Sequence, residues 1–130
     1  MSKSILIVDD ELDFIGLLRY RLQDWGYKLH EAGNGTDALN KIWTHMPDLI
    51  LLDLLLPDLD GLTLTEILQR QDATRHIPII MISAIGSEVT RVSARLAGVS
   101  DYFDKPVDFE KLRSRIASLT LQNDDGRKSI

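Results

Sequence analysis

The sequence predicts an α/β domain in which a five-stranded parallel sheet carries helices on both faces. Short apolar runs alternate five times with segments whose apolar residues fall at helical spacing, which is the pattern of repeated β-α units. The central run, 49–52, is four consecutive aliphatic residues between Pro47-Asp48 and Asp53, as expected of a strand buried on both faces. Right-handed crossovers and helix packing then favour the strand order 2-1-3-4-5.

Each element has its own signal along the chain. Strands are predicted where apolar or β-prone residues run together, at 5–8, 27–32, 49–52, 79–83 and 102–103. Helices are predicted where apolar residues recur three and four apart, at about 13–22, 36–46, 62–70, 88–96 and 109–119. Gly26, Pro47 and Gly98 follow three of these helices as stop signals, and Asp108 is the expected N-cap of the last.

The composition is that of an ordinary globular domain, with 44% hydrophobic and 27% charged residues among 130. Residues 1–121 are predicted to form one domain, and the polar residues 122–130 a tail or the start of a linker. The absence of cysteine excludes disulfides and thiolate metal sites. A net charge of −5 argues against direct nucleic-acid binding. No apolar run is long enough to span a bilayer, so we expect no membrane contact and a cytoplasmic protein.

Three carboxylates are predicted to meet at one edge of the sheet. Asp9 and Asp10 follow the first strand, and Asp53 follows the third. In the order 2-1-3-4-5, the flavodoxin-like arrangement, these two strands are neighbours whose carboxyl ends flank the switch point. Unpaired carboxylates would repel one another and raise at least one pKa. Mg²⁺, which prefers carboxylate, carbonyl and water oxygens, is the cation that this cluster suits.

Two further residues fall at the same edge. Ser83 ends the fourth strand, and Lys105, a flexible point charge that suits a phosphate, follows the fifth. Each residue also has a structural explanation, because Asp9 and Asp10 can cap the first helix and Asp53 can stop its strand or cap the next helix. The coincidence of all five at the carboxyl ends of different strands favours a functional site.

The chain resembles the receiver domains of two-component response regulators over about residues 4–119. The segments that carry the resemblance are ILIVDDE at 5–11, LILLDLLLPDLDG at 49–61, IIMISA at 79–84 and AGVSDYFDKPV at 97–107. The resemblance implies a signalling receiver that assists its own phosphorylation and dephosphorylation, and no other enzymatic turnover. It implies a histidine kinase or a phosphotransfer protein as the phosphodonor.

The resemblance also implies roles for individual residues. Asp53 would be the phosphoacceptor, and Mg²⁺ would be held by Asp10, Asp53 and the Leu55 backbone carbonyl, with Asp9 acting through water. The residues that would contact the phosphoryl group or respond to it are Ser83, the Ala84 backbone N–H, Lys105 and, as the switch aromatic, Tyr102. The Lys105-Pro106 peptide bond is expected to be cis. Leu55 and Ile85 are apolar at positions where the family often has polar groups.

The surface expected to change on phosphorylation comprises the fourth helix, fifth strand and fifth helix, at 88–119. It offers Val89, Val92 and Leu96 at helical spacing beside four basic residues, Arg91, Arg95, Lys111 and Arg115. We expect it to control a phosphorylation-dependent homodimer, or an output domain or partner. The alternative is that the three apolar residues face the sheet and the basic ones are only solvated.

Two other functions compete with a signalling switch. An Mg²⁺-dependent phosphatase would use an aspartyl nucleophile in a D-x-D-x-[TV] motif after the first strand, where this chain has DDELD at 9–13. A flavin-binding protein would need a phosphate loop rich in glycine and hydroxyl groups at that place. The acids there would repel a phosphate that has no metal.

Overall fold

The structure, a computed structural model, describes residues 2–128, with side chains described through Leu121. Ten elements alternate along the chain: β1 (Ser4–Val8), α1 (Leu12–Asp24), β2 (Lys28–Ala32), α2 (Gly35–His45), β3 (Leu49–Leu52), α3 (Gly61–Gln69), β4 (Ile79–Ser83), α4 (Glu88–Ala97), β5 (Asp101–Asp104) and α5 (Phe109–Lys128).

The five strands form one parallel sheet in the order β2-β1-β3-β4-β5, which confirms the predicted fold class. Successive residues of a strand point to opposite faces, and the core divides accordingly. Leu6 of β1 and Ile50 of β3 lie in the cluster that α2, α3 and α4 cover. Ile5 and Leu49 lie in the cluster that α1 and α5 cover. The sheet is therefore buried on both faces, as the unbroken apolar runs indicated.

The helix N-termini show which acids are structural. Asp60, not Asp53, caps α3, because its side chain accepts the Thr63 N–H at 2.8 Å. Asp108 accepts the Lys111 N–H at 3.2 Å, which agrees with its prediction as the cap of the last helix. Asp53 is therefore not required as a cap by the helix that follows it.

β5 and α5 are among the elements that are longer than predicted. β5 spans Asp101–Asp104, with a charged residue at each end, whereas the predicted strand is only its aromatic centre at 102–103. α5 continues through Lys128 and so includes most of the segment predicted as a tail. The division into 1–121 and 122–130 stays a prediction, and residues 1, 129 and 130 lie outside the described residues. Within the described part, no helix is long and apolar enough to cross a bilayer.

Candidate functional site

Asp9, Asp10 and Asp53 meet at the carboxyl ends of β1 and β3. One carboxylate oxygen from each lies within 4.8 Å of the others. The register brings them together, because Val8 is paired with Leu52 and the Asp53 N–H donates to the Val8 carbonyl at 2.9 Å. Asp9 and Asp53 are buried, whereas Asp10 is exposed. The predicted acidic cluster is therefore present, with two of its charges removed from water.

Burial and crowding raise the pKa of Asp53 from 3.8 to about 6. The main cause is its burial, and the second is the negative charge of Asp9. The charge of Lys105 and hydrogen bonds from the Leu54 and Leu55 backbone act in the opposite direction but do not offset these effects. An ionised Asp53 is thus held at a free-energy cost, which a cation beside it would reduce.

Lys105 contacts the acids from the β5 side. Its Nζ lies 2.6 Å from Glu11 Oε1, 3.0 Å from Asp9 Oδ2 and 3.8 Å from Asp53 Oδ2. It also lies 4.4 Å from the centroid of the Phe14 ring. Burial lowers the pKa of Lys105, but its hydrogen bonds to Glu11 and Asp9 and the charges of Asp9 and Asp53 outweigh burial and raise it. The ammonium is therefore charged and positioned beside Asp53.

An open cavity of about 230 Å³ lies over this cluster. It is lined by most of the predicted site residues, namely Asp10, Asp53, Leu55, Ser83, Ala84 and Lys105. Glu11 and Ile85 complete the lining. Asp9 is not part of this lining. One oxygen of its carboxylate accepts a hydrogen bond from Lys105, and the other accepts the Glu11 N–H at 2.9 Å. One small cavity therefore combines carboxylates, a hydroxyl, an ammonium and two apolar side chains.

Ser83 and Tyr102 both contact the backbone of Ile85. The buried Ser83 hydroxyl accepts the Ile85 N–H at 3.1 Å, and the Tyr102 hydroxyl donates to the Ile85 carbonyl. The Tyr102 ring is buried, with the Arg91 guanidinium 5.1 Å from its centroid. The Lys105-Pro106 peptide is cis, as the resemblance implied. A change at Ser83 can thus reach Tyr102 through a single residue.

Residues 5–117 match the family described as the response regulator receiver domain. This chain belongs to that family. The receiver domain is 36% identical over 124 residues to the alkaline phosphatase synthesis transcriptional regulatory protein PhoP of Bacillus subtilis, covering 95% of this chain and 51% of the relative. It is 38% identical over 120 residues to the response regulator PleD of Caulobacter vibrioides, covering 92% and 26%.

Solved structures agree with this assignment. A putative response regulator from Chloroflexus aurantiacus has a TM-score of 0.89 at 31% identity, with 93% of this chain and 99% of that chain covered. The signal receiver domain of a putative LuxO repressor protein from Vibrio parahaemolyticus has a TM-score of 0.92 at 25% identity, with 99% and 98% covered. The chain spans about half the length, or less, of the curated relatives named above.

Receiver domains are signalling domains rather than metabolic enzymes, so the phosphatase and flavin alternatives are not supported.

On the receiver's α4 surface, the apolar residues point to solvent. Val89, Val92 and Leu96 are 76%, 46% and 83% exposed, and Ala94 is the residue of α4 that reaches the core. The alternative that the three apolar residues face the sheet is therefore wrong.

The basic residues beside them divide into two kinds. Arg91 pairs with Asp104 of β5, and Arg115 pairs with Asp101 at 3.0 Å. Arg95 and Lys111 are exposed. Two of the four basic side chains therefore hold α4 and α5 to the edge strand instead of being only solvated.

Sequence reasoning missed Glu11 and Phe14 as neighbours of Lys105. Glu11 is the third acid of the DDE run at 9–11, and that run was the available signal. The Phe14 ring packs against the core while also contacting Lys105. The role of the Ile85 backbone between Ser83 and Tyr102 had no signal in the sequence.

Proposed function

We propose that this receiver domain is a phosphorylation-activated signalling switch in which Asp53 accepts a phosphoryl group from a histidine kinase or a phosphotransfer protein. The observation that carries the proposal is a carboxylate that is 8% exposed, opens onto a cavity, and caps no helix. A buried carboxylate beside a second acid and an ammonium is a costly arrangement, and such arrangements are typical of functional sites.

The donor set fits Mg²⁺. Oxygen atoms of Asp9, Asp10 and Asp53 converge, and burial and the charge of Asp9 raise the pKa of Asp53 in spite of the neighbouring Lys105. In the proposal Asp10, Asp53 and the Leu55 carbonyl hold the ion, with Asp9 acting through water. When bound, Mg²⁺ would supply positive charge that neutralises phosphoryl oxygens.

The chain's own residues would perform the transfer. A carboxylate oxygen of Asp53 would form a bond to phosphorus as the bond from phosphorus to the donor's histidine nitrogen breaks, with the electron pair leaving on that nitrogen. Lys105, already 3.8 Å from Asp53, would pair with a phosphoryl oxygen. Ser83 and Ala84 line the cavity, and the Ser83 hydroxyl and the Ala84 N–H would donate to the others. The same groups would position water for the later hydrolysis of the acyl phosphate.

The signal would leave the site through Ser83, Ile85 and Tyr102. If the Ser83 hydroxyl turns to the phosphoryl group, its bond to the Ile85 N–H is lost, and the Ile85 carbonyl that Tyr102 contacts can move with it. The Tyr102 ring is already buried in this structure, so phosphorylation would act on its contact with Ile85 and thereby change the surface at 88–119, a two-state response to a local charge. That surface would then control a homodimer, or an output partner or domain, without direct nucleic-acid binding by the receiver.

Incubation with Mg²⁺ and a small phosphodonor, followed by intact mass spectrometry, tests the proposal. One phosphoryl mass gain is expected for the wild-type chain, and none for Asp53→Asn or for wild-type protein in excess chelator. The matched control is Asp13→Asn, which removes one exposed carboxylate from α1 and should leave the gain intact. Phosphorylation of Asp53→Asn would refute the assignment of the nucleophile and make Asp9 the next residue to test.

A further inference from the structure

The loop at 54–60, between Asp53 and α3, is closed on itself at its base. The Gly61 N–H donates to the Leu54 carbonyl at 2.7 Å, and a Cβ at Gly61 would lie 2.5 Å from the Asp53 carbonyl oxygen. Backbone hydrogen bonds from Leu54 and Leu55 reach the Asp53 carboxylate. The conformation of the loop therefore determines what surrounds the proposed phosphoacceptor.

Asp58 fastens the outer end of this loop to α2. One oxygen of its carboxylate accepts the Gly35 N–H at 2.7 Å, and the other accepts the Thr36 N–H at 3.0 Å and the Thr36 hydroxyl at 2.7 Å. These hydrogen bonds, the one from the Thr36 hydroxyl first, lower the pKa of Asp58 to about 2, so the carboxylate is ionised at neutral pH. Leu59 packs beside it, and a Cβ at Gly35 would lie 2.7 Å from the Leu59 Cβ.

The cap of α2 is a different residue. Asn34 accepts the Asp37 N–H at 2.8 Å and so already provides the usual N-cap contact. Asp58 takes two further N–H groups of the first turn, which have no acceptor within the helix. Asp58 therefore completes the capping of α2 from a loop 22 or more residues away, and in doing so ties that loop to the helix.

The clamped segments both contact the acidic cluster. The Ala32 carbonyl, just before α2, accepts the Asp9 N–H at 3.0 Å. At the other end, the loop begins at Asp53 and passes Leu55, which lines the cavity. Asp58 thus joins the start of α2, which follows the residue bonded to the Asp9 backbone, to the segment that follows Asp53.

We infer that Asp58 is a positioning residue for the metal site, because its clamp on Gly35 and Thr36 holds the loop backbone at Leu55 where the cation is to bind. The inference rests on the proposed function. Without the clamp, the loop would have to become ordered when the cation binds. The conformational entropy lost in that ordering would make the free energy of binding less favourable.

The test is a calorimetric titration of Mg²⁺ into wild-type protein and Asp58→Ala, well below the unfolding temperature. We expect about ten-fold weaker binding for the variant, in the range seen when residues that support metal ligands are removed. Amide hydrogen exchange should be faster at Gly35 and Thr36. Asp58→Asn should bind with intermediate affinity, because its one carboxamide oxygen can still accept an N–H.

Asp60→Ala is the matched control. It removes an equal charge from the same loop and unties α3, whose Thr63 N–H it caps, but leaves the contacts with α2. It should lower the unfolding temperature and keep the wild-type Mg²⁺ affinity.

Three results would count against the inference. Wild-type affinity in Asp58→Ala would overturn it, as would equal losses of affinity in the Asp58 and Asp60 variants or unchanged exchange at Gly35 and Thr36. Wild-type protein that binds no Mg²⁺ would instead refute the metal site of the proposed function. The two failures are therefore distinguishable.

Discussion

Replacing Asp53 by Asn should make the metal-free protein more stable at neutral pH. The folded state holds the carboxylate buried beside Asp9, and its pKa rises from 3.8 to about 6. Ionised Asp53 therefore opposes folding above pH 6. Asn has nearly the same shape and carries no charge, so it removes this penalty.

The size of the effect follows from the shift in pKa. A difference of about two pKa units corresponds to about 3 kcal/mol between the protonation states. Asn is a poorer acceptor for the backbone groups of Leu54 and Leu55 and for Lys105, so part of the gain is lost. We expect the free energy of unfolding to rise by about 1–3 kcal/mol at pH 7.5.

The raised pKa of Asp53 also determines how the stability difference between the variant and the wild type depends on pH. Because the pKa of Asp53 is raised in the folded state, its stabilising contribution is full below pH 3.8 and is lost as the pH rises through about 6. The advantage of Asp53→Asn should therefore be large at pH 7.5 and nearly absent at pH 4. Urea unfolding with chelator present measures both.

The control is Asp13→Asn, an exposed carboxylate on α1, which should change stability little at either pH. Adding Mg²⁺ should stabilise the wild-type protein by mass action and narrow its difference from Asp53→Asn. An Asn variant no more stable than wild type at pH 7.5, or an advantage that stays the same at pH 4, would refute the account of Asp53 as an uncompensated buried charge.

Three further predictions concern the site and its surface. Titration should show much weaker Mg²⁺ binding by Asp10→Asn, and equal affinity would remove Asp10 from the proposed ligands. The apolar Leu55 and Ile85 flank the cavity and should hinder an attacking water, so the acyl phosphate should be lost several-fold faster in Leu55→Asn with Ile85→Glu; an unchanged decay rate would contradict this. A beryllofluoride adduct should raise the sedimenting mass or alter amide exchange across 88–119. The absence of both changes would contradict a role for that surface in signalling.

The sequence located the elements best where burial is complete. β3 and β4 have the predicted bounds, because a strand covered on both faces must be apolar throughout. β5 is an edge strand, paired only with β4, and an edge accommodates charged residues. The charged residues Asp101 and Asp104 were therefore not predicted as the ends of this strand. Both form ion pairs, with Arg115 and Arg91 respectively.

The same distinction separates the predicted site residues from the missed ones. Asp53, Ser83 and Lys105 could be placed because the carboxyl ends of parallel strands share one edge, so that topology alone gives their proximity.

The contacts of Glu11 with Lys105 and of Asp58 with Thr36 join segments 94 and 22 residues apart, through side chains on loops and at helix starts. Their distances depend on how helices pack on the sheet, which no local pattern encodes. Of these two contacts, the one with Glu11 bears on how Lys105 divides between its partners. Lys105 is nearer to Glu11 and Asp9 than to Asp53, so in the proposed mechanism a phosphoryl group on Asp53 would compete with both acids for the same ammonium. The extent of the proposed switch would therefore depend on the balance of charge around Lys105 as well as on the nucleophile.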